Sequence, residues 1–215
     1  MNLRVSFPRE ANVEVLPDDK ALAKLSVVLA LHGMGESGAV FARRLAPVIA
    51  RNDRAWLIPD GPLPFERRRD RTIGHAWYLF TGDQDALRLS MLESAKYLDA
   101  VLAKVPAHKK TALIGFSQGG YLAGVYGALR PERVSHVCCA GGRIKHEFFP
   151  AAGTNAPRYL QLHGAKDESV LADHAMSAVE ATKQKGYDVA SRVFADAGHE
   201  LTPEMMDAFM EWLKA

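Results

Sequence analysis

The chain has 215 residues, of which 48% are hydrophobic and 24% are charged. This balance is that of an ordinary globular protein and excludes a disordered or fibrous one, and the length suits a single domain spanning residues 1–215. The 27 basic and 25 acidic residues give a formal net charge of +2, so charge indicates neither a nucleic acid nor a membrane surface as a partner.

The sequence also bears on the cellular compartment. No stretch approaches the roughly 20 apolar residues of a membrane helix, and residues 1–17 lack the apolar run of a signal peptide. Cys138 and Cys139 are adjacent in an apolar run. In a buried strand their side chains would point to opposite faces, which argues against a mutual disulfide. We therefore expect a cytoplasmic protein without stable membrane insertion.

Apolar runs predict strands that alternate with helices along the chain. Continuous runs predict buried strands at residues 25–33, 55–62 (closing at Pro59), 111–116, 134–142 and 158–164, with a last strand and its exit loop at 188–199. Apolar residues at helical spacing predict helices at 38–51, 85–105, 118–130, about 171–185 and 202–215. Ser37 and Thr202 are the expected helix caps, and a long polar loop is expected after the second strand.

This alternation defines the expected fold class. It requires right-handed crossovers and a mostly parallel central sheet with helices on both faces, which is a doubly wound α/β fold. The segments "LRVSF" and "VEVLP" near the N-terminus could add an antiparallel hairpin at one edge. In such sheets the ligand site lies beyond the carboxyl ends of the strands, so the chemistry is expected in the loops that follow them.

A serine lies at the junction of a predicted strand and helix. The stretch "GFSQG" at 115–119 matches the G-x-S-x-G pattern of a nucleophile elbow, with Ser117 on a sharp turn. Gly115 and Gly119 would let the strand and the helix pack closely there. The five-residue pattern by itself also fits a glycine-rich packing turn, so the rest of the chain decides between the two interpretations.

A serine nucleophile needs a base and an acid that orients the base, in the chain order serine, acid, histidine. His199 is the downstream histidine on a strand-exit loop before the last helix, and we predict it to be the base; a plain surface residue is the alternative. Asp167 in "HGAKDESV" is the predicted acid. Asp196 is the second choice, and a solvated turn aspartate is the alternative interpretation of Asp167.

The tetrahedral intermediate of acyl transfer carries an oxyanion that needs two backbone N–H donors. We predict one from Gln118, directly after the serine, and one from Met34 in the flexible "HGMG" segment at 32–35. A glycine-rich turn or a phosphate loop is the alternative for that segment, but it lacks the lysine and the spacing of a P-loop.

Four motifs together resemble those of a known family. The stretches "LHGMGESG", "GFSQGG", "HGAKDESV" and "AGHE", in this order, are similar to those of the phospholipase/carboxylesterase group of α/β-hydrolases, which includes acyl-protein thioesterases. The resemblance covers nearly the whole chain. It implies an α/β-hydrolase fold without a large cap domain, no cofactor or metal, and the same roles for Ser117, Asp167, His199, Met34 and Gln118.

One loop carries both a similarity to that group and a departure from it. The resemblance implies that Trp77 and Tyr78 help to line an acyl pocket, but Leu79 follows where many relatives carry an acidic residue. The arginine-rich segment 66–71, "ERRRDR", is also unlike the group. It is either a solvated loop face or an anion-binding rim for a charged substrate.

The sequence therefore predicts a serine hydrolase that cleaves a small-molecule carboxylic ester or thioester through an acyl-enzyme. A peptidase or amidase on the same scaffold, or a non-catalytic binding protein with a hydrolase fold, are the alternatives. The sequence does not identify the physiological substrate or the acyl length. It is compatible with a homodimer but does not define the oligomeric state.

Overall fold

The computed structural model describes residues 10–214. Its strands are β1 (Val13–Leu16), β2 (Val27–Leu31), β3 (Ala55–Pro59), β4 (Leu63–Arg67), β5 (Thr72–Ala76), β6 (Thr111–Phe116), β7 (Val134–Ala140), β8 (Arg158–Gly164) and β9 (Val189–Phe194). Its α-helices are α1 (Ala21–Lys24), α2 (Gly38–Ile49), α3 (Gln84–Leu102), α4 (Gln118–Leu129), α5 (Ala172–Gln184) and α6 (Pro203–Trp212). A single 3₁₀ turn spans His146–Phe148.

Seven strands form one sheet in the order β1-β3-β2-β6-β7-β8-β9. All neighbouring pairs are parallel except β1 with β3, which is antiparallel at the edge. This confirms the predicted α/β class and the edge position of "VEVLP"; "LRVSF" lies outside the described residues. Within residues 10–214, no helix is long and apolar enough to cross a membrane.

Both faces of the sheet are covered, as a parallel sheet requires. Every residue of β2, β3 and β6 is buried. Leu29 and Leu31 of β2 pack on the face covered by α3, α4 and α5, whereas Val28 and Ala30 pack on the face covered by α2 and α6. The alternation of side chains along each strand thus divides the core into two layers.

Side-chain caps fix the helix starts. The Ser37 and Thr202 hydroxyls accept hydrogen bonds from Val40 N and Met205 N, which confirms both predicted caps. The Asp83 carboxylate caps α3 and was not predicted.

The predicted long polar loop after β3 is wrong over most of its length. Strands β4 and β5 form an antiparallel hairpin there. Its support comes from far along the chain: Gly35 N donates to His75 O at 2.8 Å and His75 N donates to Glu36 O at 3.0 Å. A polar, arginine-rich segment gave no local sign of this pairing with the loop after β2.

Candidate active site

The turn between β6 and α4 holds Ser117 in an unusual backbone conformation. Its φ of 51° and ψ of −118° lie where residues other than glycine are rare. Such strain costs on the order of 1–3 kcal/mol and persists where surrounding bonds fix it. Here Ser117 N donates to Ala140 O at 2.8 Å, and Ser117 O accepts from Gly120 N and Tyr121 N.

The two flanking glycines are required by close backbone contacts. A Cβ at Gly115 would lie 2.1 Å from Gly119 O, and a Cβ at Gly119 would lie 2.3 Å from Leu31 O. Neither neighbour is a flexible side chain that could move aside. The strand, the turn and the helix can therefore approach this closely only with glycine at both positions.

Three predicted residues meet at the carboxyl ends of the strands. His199 Nε2 lies 3.0 Å from Ser117 Oγ, and His199 Nδ1 lies 2.8 Å from Asp167 Oδ2. An ionised carboxylate only accepts, so Nδ1 carries the proton and Nε2 is free to accept from the serine hydroxyl. The ring of Phe116 packs against that of His199, with the ring centroids 5.2 Å apart.

The carboxylate of Asp167 is buried and well supplied with donors. Oδ1 accepts from Ser169 N at 2.9 Å and from Val170 N at 2.8 Å. Burial opposes ionisation, but these N–H groups and His199 outweigh it and hold the pKa of Asp167 below its usual value. Asp196, the second choice, is 96% exposed and pairs with Lys166 instead.

Two polar residues behind this acid were missed. His163 is fully buried; its Nε2 lies 2.7 Å from Val170 O and 3.4 Å from Asp167 Oδ2. Gln161, also buried, donates to Gly142 O at 2.8 Å. The sequence analysis did not consider His163 as a support for Asp167. The available signal was polar residues at alternate positions, and so on one face, of the apolar strand β8.

The loop after β2 presents the predicted oxyanion donors. Among residues 10–214, the amide of Met34 has no acceptor, whereas Gly33 N donates to Glu36 Oε2 and Gly35 N to His75 O. Gln118 is the first residue of α4, so its N–H has no acceptor within the helix. Neither amide is thus engaged by an acceptor in these elements.

The side chain of Gln118 has a separate task. Its Oε1 accepts from Trp77 N at 2.8 Å, and its Nε2 donates to Tyr78 O at 3.0 Å. Trp77 is completely buried and its Nε1 donates to His32 O at 2.7 Å, while Tyr78 is 8% exposed. Trp77 therefore lies beneath the site and supports the loop after β2, and Tyr78 presents only a small surface to a ligand.

His32 is locked in one tautomer. Its Nε2 accepts from Gly61 N at 3.0 Å, so its Nδ1 carries the proton and donates to Gly33 O at 2.8 Å. Burial lowers the pKa of His32, which keeps the ring neutral.

Two of the four arginines in the arginine-rich segment form ion pairs within their own hairpin. Arg67 donates to Gly35 O at 3.0 Å and forms an ion pair with Asp70 at 2.7 Å. Arg68, 88% exposed, pairs with Glu66 at 3.2 Å. In the part of the chain that the structure describes, no group of three or more His, Cys, Asp or Glu side chains is arranged to hold a metal ion.

Fold and sequence together define the class: the protein is an α/β-hydrolase. The sequence matches the model of the phospholipase/carboxylesterase family over residues 12–215, and the chain belongs to that family.

Individual relatives are more distant. The chain is 29% identical over 130 residues to Esterase YpfH of Escherichia coli (strain K12), a match that spans 60% of this chain and about half (54%) of that protein. It is 23% identical over 209 residues to a probable SOBER1-like carboxylesterase of Arabidopsis thaliana, covering 87% and 77% of the two chains. The crystal structure of Zea mays acyl-protein thioesterase 2 superimposes with a TM-score of 0.75 at 21% identity, covering 95% of this chain and 98% of that one. At that identity the structural likeness shows the fold alone.

Proposed function

We propose that the protein is a carboxylic ester hydrolase that cleaves a small-molecule ester or thioester through an acyl-enzyme on Ser117. One observation carries the proposal: His199 lies within hydrogen-bonding distance of both the Ser117 hydroxyl, at 3.0 Å, and the Asp167 carboxylate, at 2.8 Å. Membership of the phospholipase/carboxylesterase family and the esterase names of the relatives support ester chemistry.

Acylation would begin with attack of Ser117 Oγ on the substrate carbonyl. His199 Nε2 takes the hydroxyl proton, and the Asp167 carboxylate stabilises the imidazolium that forms. The tetrahedral intermediate then collapses: its carbon–oxygen or carbon–sulfur bond to the leaving group breaks, and His199 returns the proton to that group.

In deacylation, water takes the place of the serine hydroxyl as the nucleophile. His199 Nε2 accepts a proton from a water molecule as the water oxygen attacks the acyl carbon. The bond between that carbon and Ser117 Oγ then breaks, the proton passes from His199 to Oγ, and the acid product leaves. The lowered pKa of Asp167 keeps the carboxylate ionised throughout the neutral range, so it can orient the base in both half-reactions.

The N–H groups of Met34 and Gln118 would bind the oxyanion of both intermediates. Support comes from the place of Gln118 directly after Ser117, from the loop of Met34 following β2, which pairs with β6, and from the lack of any acceptor for the Met34 amide in the described chain. A single donor of this kind typically contributes about 10²–10³ in rate.

Three further points belong to the proposal. Residues 1–215 form one domain, supported by one continuous sheet that runs from β1 to β9. The location is cytoplasmic, supported by the two free, buried cysteines. A non-catalytic role is disfavoured because the base is hydrogen-bonded to both of its partners.

A substrate panel tests the function. We expect the wild-type protein to hydrolyse p-nitrophenyl esters and acyl thioesters of graded chain length, with a slow substrate leaving an acyl group on the tryptic peptide of residues 111–133. Matched p-nitroanilides should react far more slowly. Faster cleavage of the anilides would favour the peptidase alternative, and a folded protein inactive on the whole panel would contradict the proposal.

A further inference from the structure

The loop that carries Met34 is held by hydrogen bonds on both sides of the Met34 amide. Gly33 O accepts from His32 Nδ1 at 2.8 Å and from Glu36 N at 3.2 Å. Gly35 is held at both ends, with its N–H donating to His75 O and its carbonyl accepting from Arg67. The backbone on both sides of the Met34 amide is therefore fixed.

The direction of the Met34 N–H follows from the carbonyl that precedes it. In a trans peptide the C=O and the N–H point to opposite sides of the plane. Because His32 and Glu36 both donate to Gly33 O, they fix that carbonyl on one side, and the Met34 N–H must then point to the other. Whatever holds Gly33 in place thus aims the Met34 amide.

Glu36 holds Gly33 from both ends. Its backbone N–H donates to Gly33 O, and its Oε2 accepts from Gly33 N at 3.0 Å, which closes a tight turn. The other carboxylate oxygen forms an ion pair with Arg44. The Glu36 side chain is only 20% exposed, so the surrounding protein screens these bonds from water more than it would at an open surface.

Arg44 connects the Glu36 carboxylate to Phe116, which packs against His199. Its guanidinium lies over the Phe116 ring, 5.0 Å from the centroid, and Phe116 in turn packs against His199. Phe116 also touches the loop itself, since a Cβ at Gly33 would lie 3.1 Å from its ring. Glu36 and Arg44 therefore link the oxyanion loop to the elements that carry the nucleophile and the base.

We propose that Glu36 is a positioning residue for the oxyanion hole, which it serves by holding the Gly33–Met34 peptide so that the Met34 N–H faces the reacting carbonyl. The inference rests on the proposed hydrolase function. Glu36 touches neither substrate nor reacting atoms, and its effect is confined to states in which the substrate oxygen carries negative charge.

Kinetics of matched variants test this role. Glu36→Ala leaves Gly33 N without its acceptor and should lower kcat about 10- to 100-fold, the range for a displaced group or a weakened oxyanion donor, with KM within about twofold. The affinity for a trifluoromethyl ketone, whose adduct with Ser117 carries an oxyanion, should fall in proportion to kcat. Glu36→Gln retains an oxygen that can accept from Gly33 N but loses the ion pair with Arg44, so we expect it to restore kcat to within severalfold of the wild type.

Controls separate this role from a general loss of stability. Glu180→Ala removes an exposed carboxylate that pairs with Lys183 on α5 and should leave kcat unchanged. If Glu36→Ala does not fold, Arg44→Met removes the ion pair while keeping apolar contact with Phe116, and we expect kcat alone to fall severalfold.

Two results would overturn the inference. The first is wild-type kcat and analogue affinity in Glu36→Ala or, if that variant does not fold, unchanged kcat in Arg44→Met. The second is a loss of kcat in Glu36→Gln as large as that in Glu36→Ala. Wild-type enzyme that fails to react with the ketone at all would instead count against the proposed function itself.

Discussion

Replacement of Asp167 by asparagine tests how the base is oriented. Oδ1 of Asp167 accepts from two backbone N–H groups, which an asparagine oxygen can retain. The amide NH₂ would then occupy the place of Oδ2, where it faces His199 Nδ1 and His163 Nε2. Because the NH₂ group only donates, His199 would have to accept at Nδ1 and carry its proton on Nε2. That tautomer cannot take the proton from Ser117.

The size of the effect follows from this change of tautomer. Where the same substitution has this consequence in a serine triad, kcat falls about 10⁴-fold, which corresponds to about 5.5 kcal/mol in the activation barrier. The fold should survive, since the bonds to Ser169 N and Val170 N remain. We therefore expect a normal thermal unfolding transition at neutral pH together with a kcat on p-nitrophenyl acetate lower by about three to four orders of magnitude.

The matched control is Asp196→Asn. That carboxylate is 96% exposed and pairs with Lys166, so the substitution should leave kcat within about twofold of the wild type. A loss smaller than about tenfold in Asp167→Asn would refute the assignment of the acid. An equal or larger loss in Asp196→Asn would transfer the role to the alternative residue.

Two further predictions concern stability. Gly119→Ala places a Cβ 2.3 Å from Leu31 O and should destabilise the protein by about 3 kcal/mol or more in chemical denaturation, whereas Gly153→Ala, with nothing within 4 Å, should change stability by less than about 0.5 kcal/mol. Burial works against ionisation of Glu147, but the bidentate Arg143 lowers its pKa from 4.5 to about 2. The stability that this ion pair contributes is therefore present above pH 4.5 and lost as the pH falls towards 2. Glu147→Gln should lower the free energy of unfolding by about 1 kcal/mol at pH 7, after allowance for the 40% exposure of Glu147, and by nothing at pH 2. A difference that does not change with pH would contradict this.

Much of the architecture could be predicted because its signals are local. Continuous apolar runs identified the buried strands, and the serine or threonine before α2 and α6 identified where those helices begin. The nucleophile elbow could also be predicted, since the glycines at 115 and 119 mark a close backbone contact that only glycine allows. Ser117, Asp167 and His199 could be selected because topology brings the loops after parallel strands to one edge of the sheet.

The features that were missed depend on contacts between distant segments. The hairpin of β4 and β5 is tied to Gly35 and Glu36, about 40 residues away along the chain, and its own sequence is polar. The burial of Trp77 depends on a bond to His32 O that no spacing indicates. The same contacts weigh against the anion-binding rim as the interpretation of the arginine-rich segment, because Arg67 already bonds to Gly35 O and Asp70.

The central claim is that Ser117 is the nucleophile, and labelling with a fluorophosphonate tests it most directly. We expect the wild-type protein and Ser191→Ala, which lacks an exposed serine of β9, to be labelled on the tryptic peptide of residues 111–133 and to hydrolyse p-nitrophenyl esters. Ser117→Ala should be folded, unlabelled and inactive. Labelling or ester hydrolysis that persists at the wild-type level in Ser117→Ala would contradict the account.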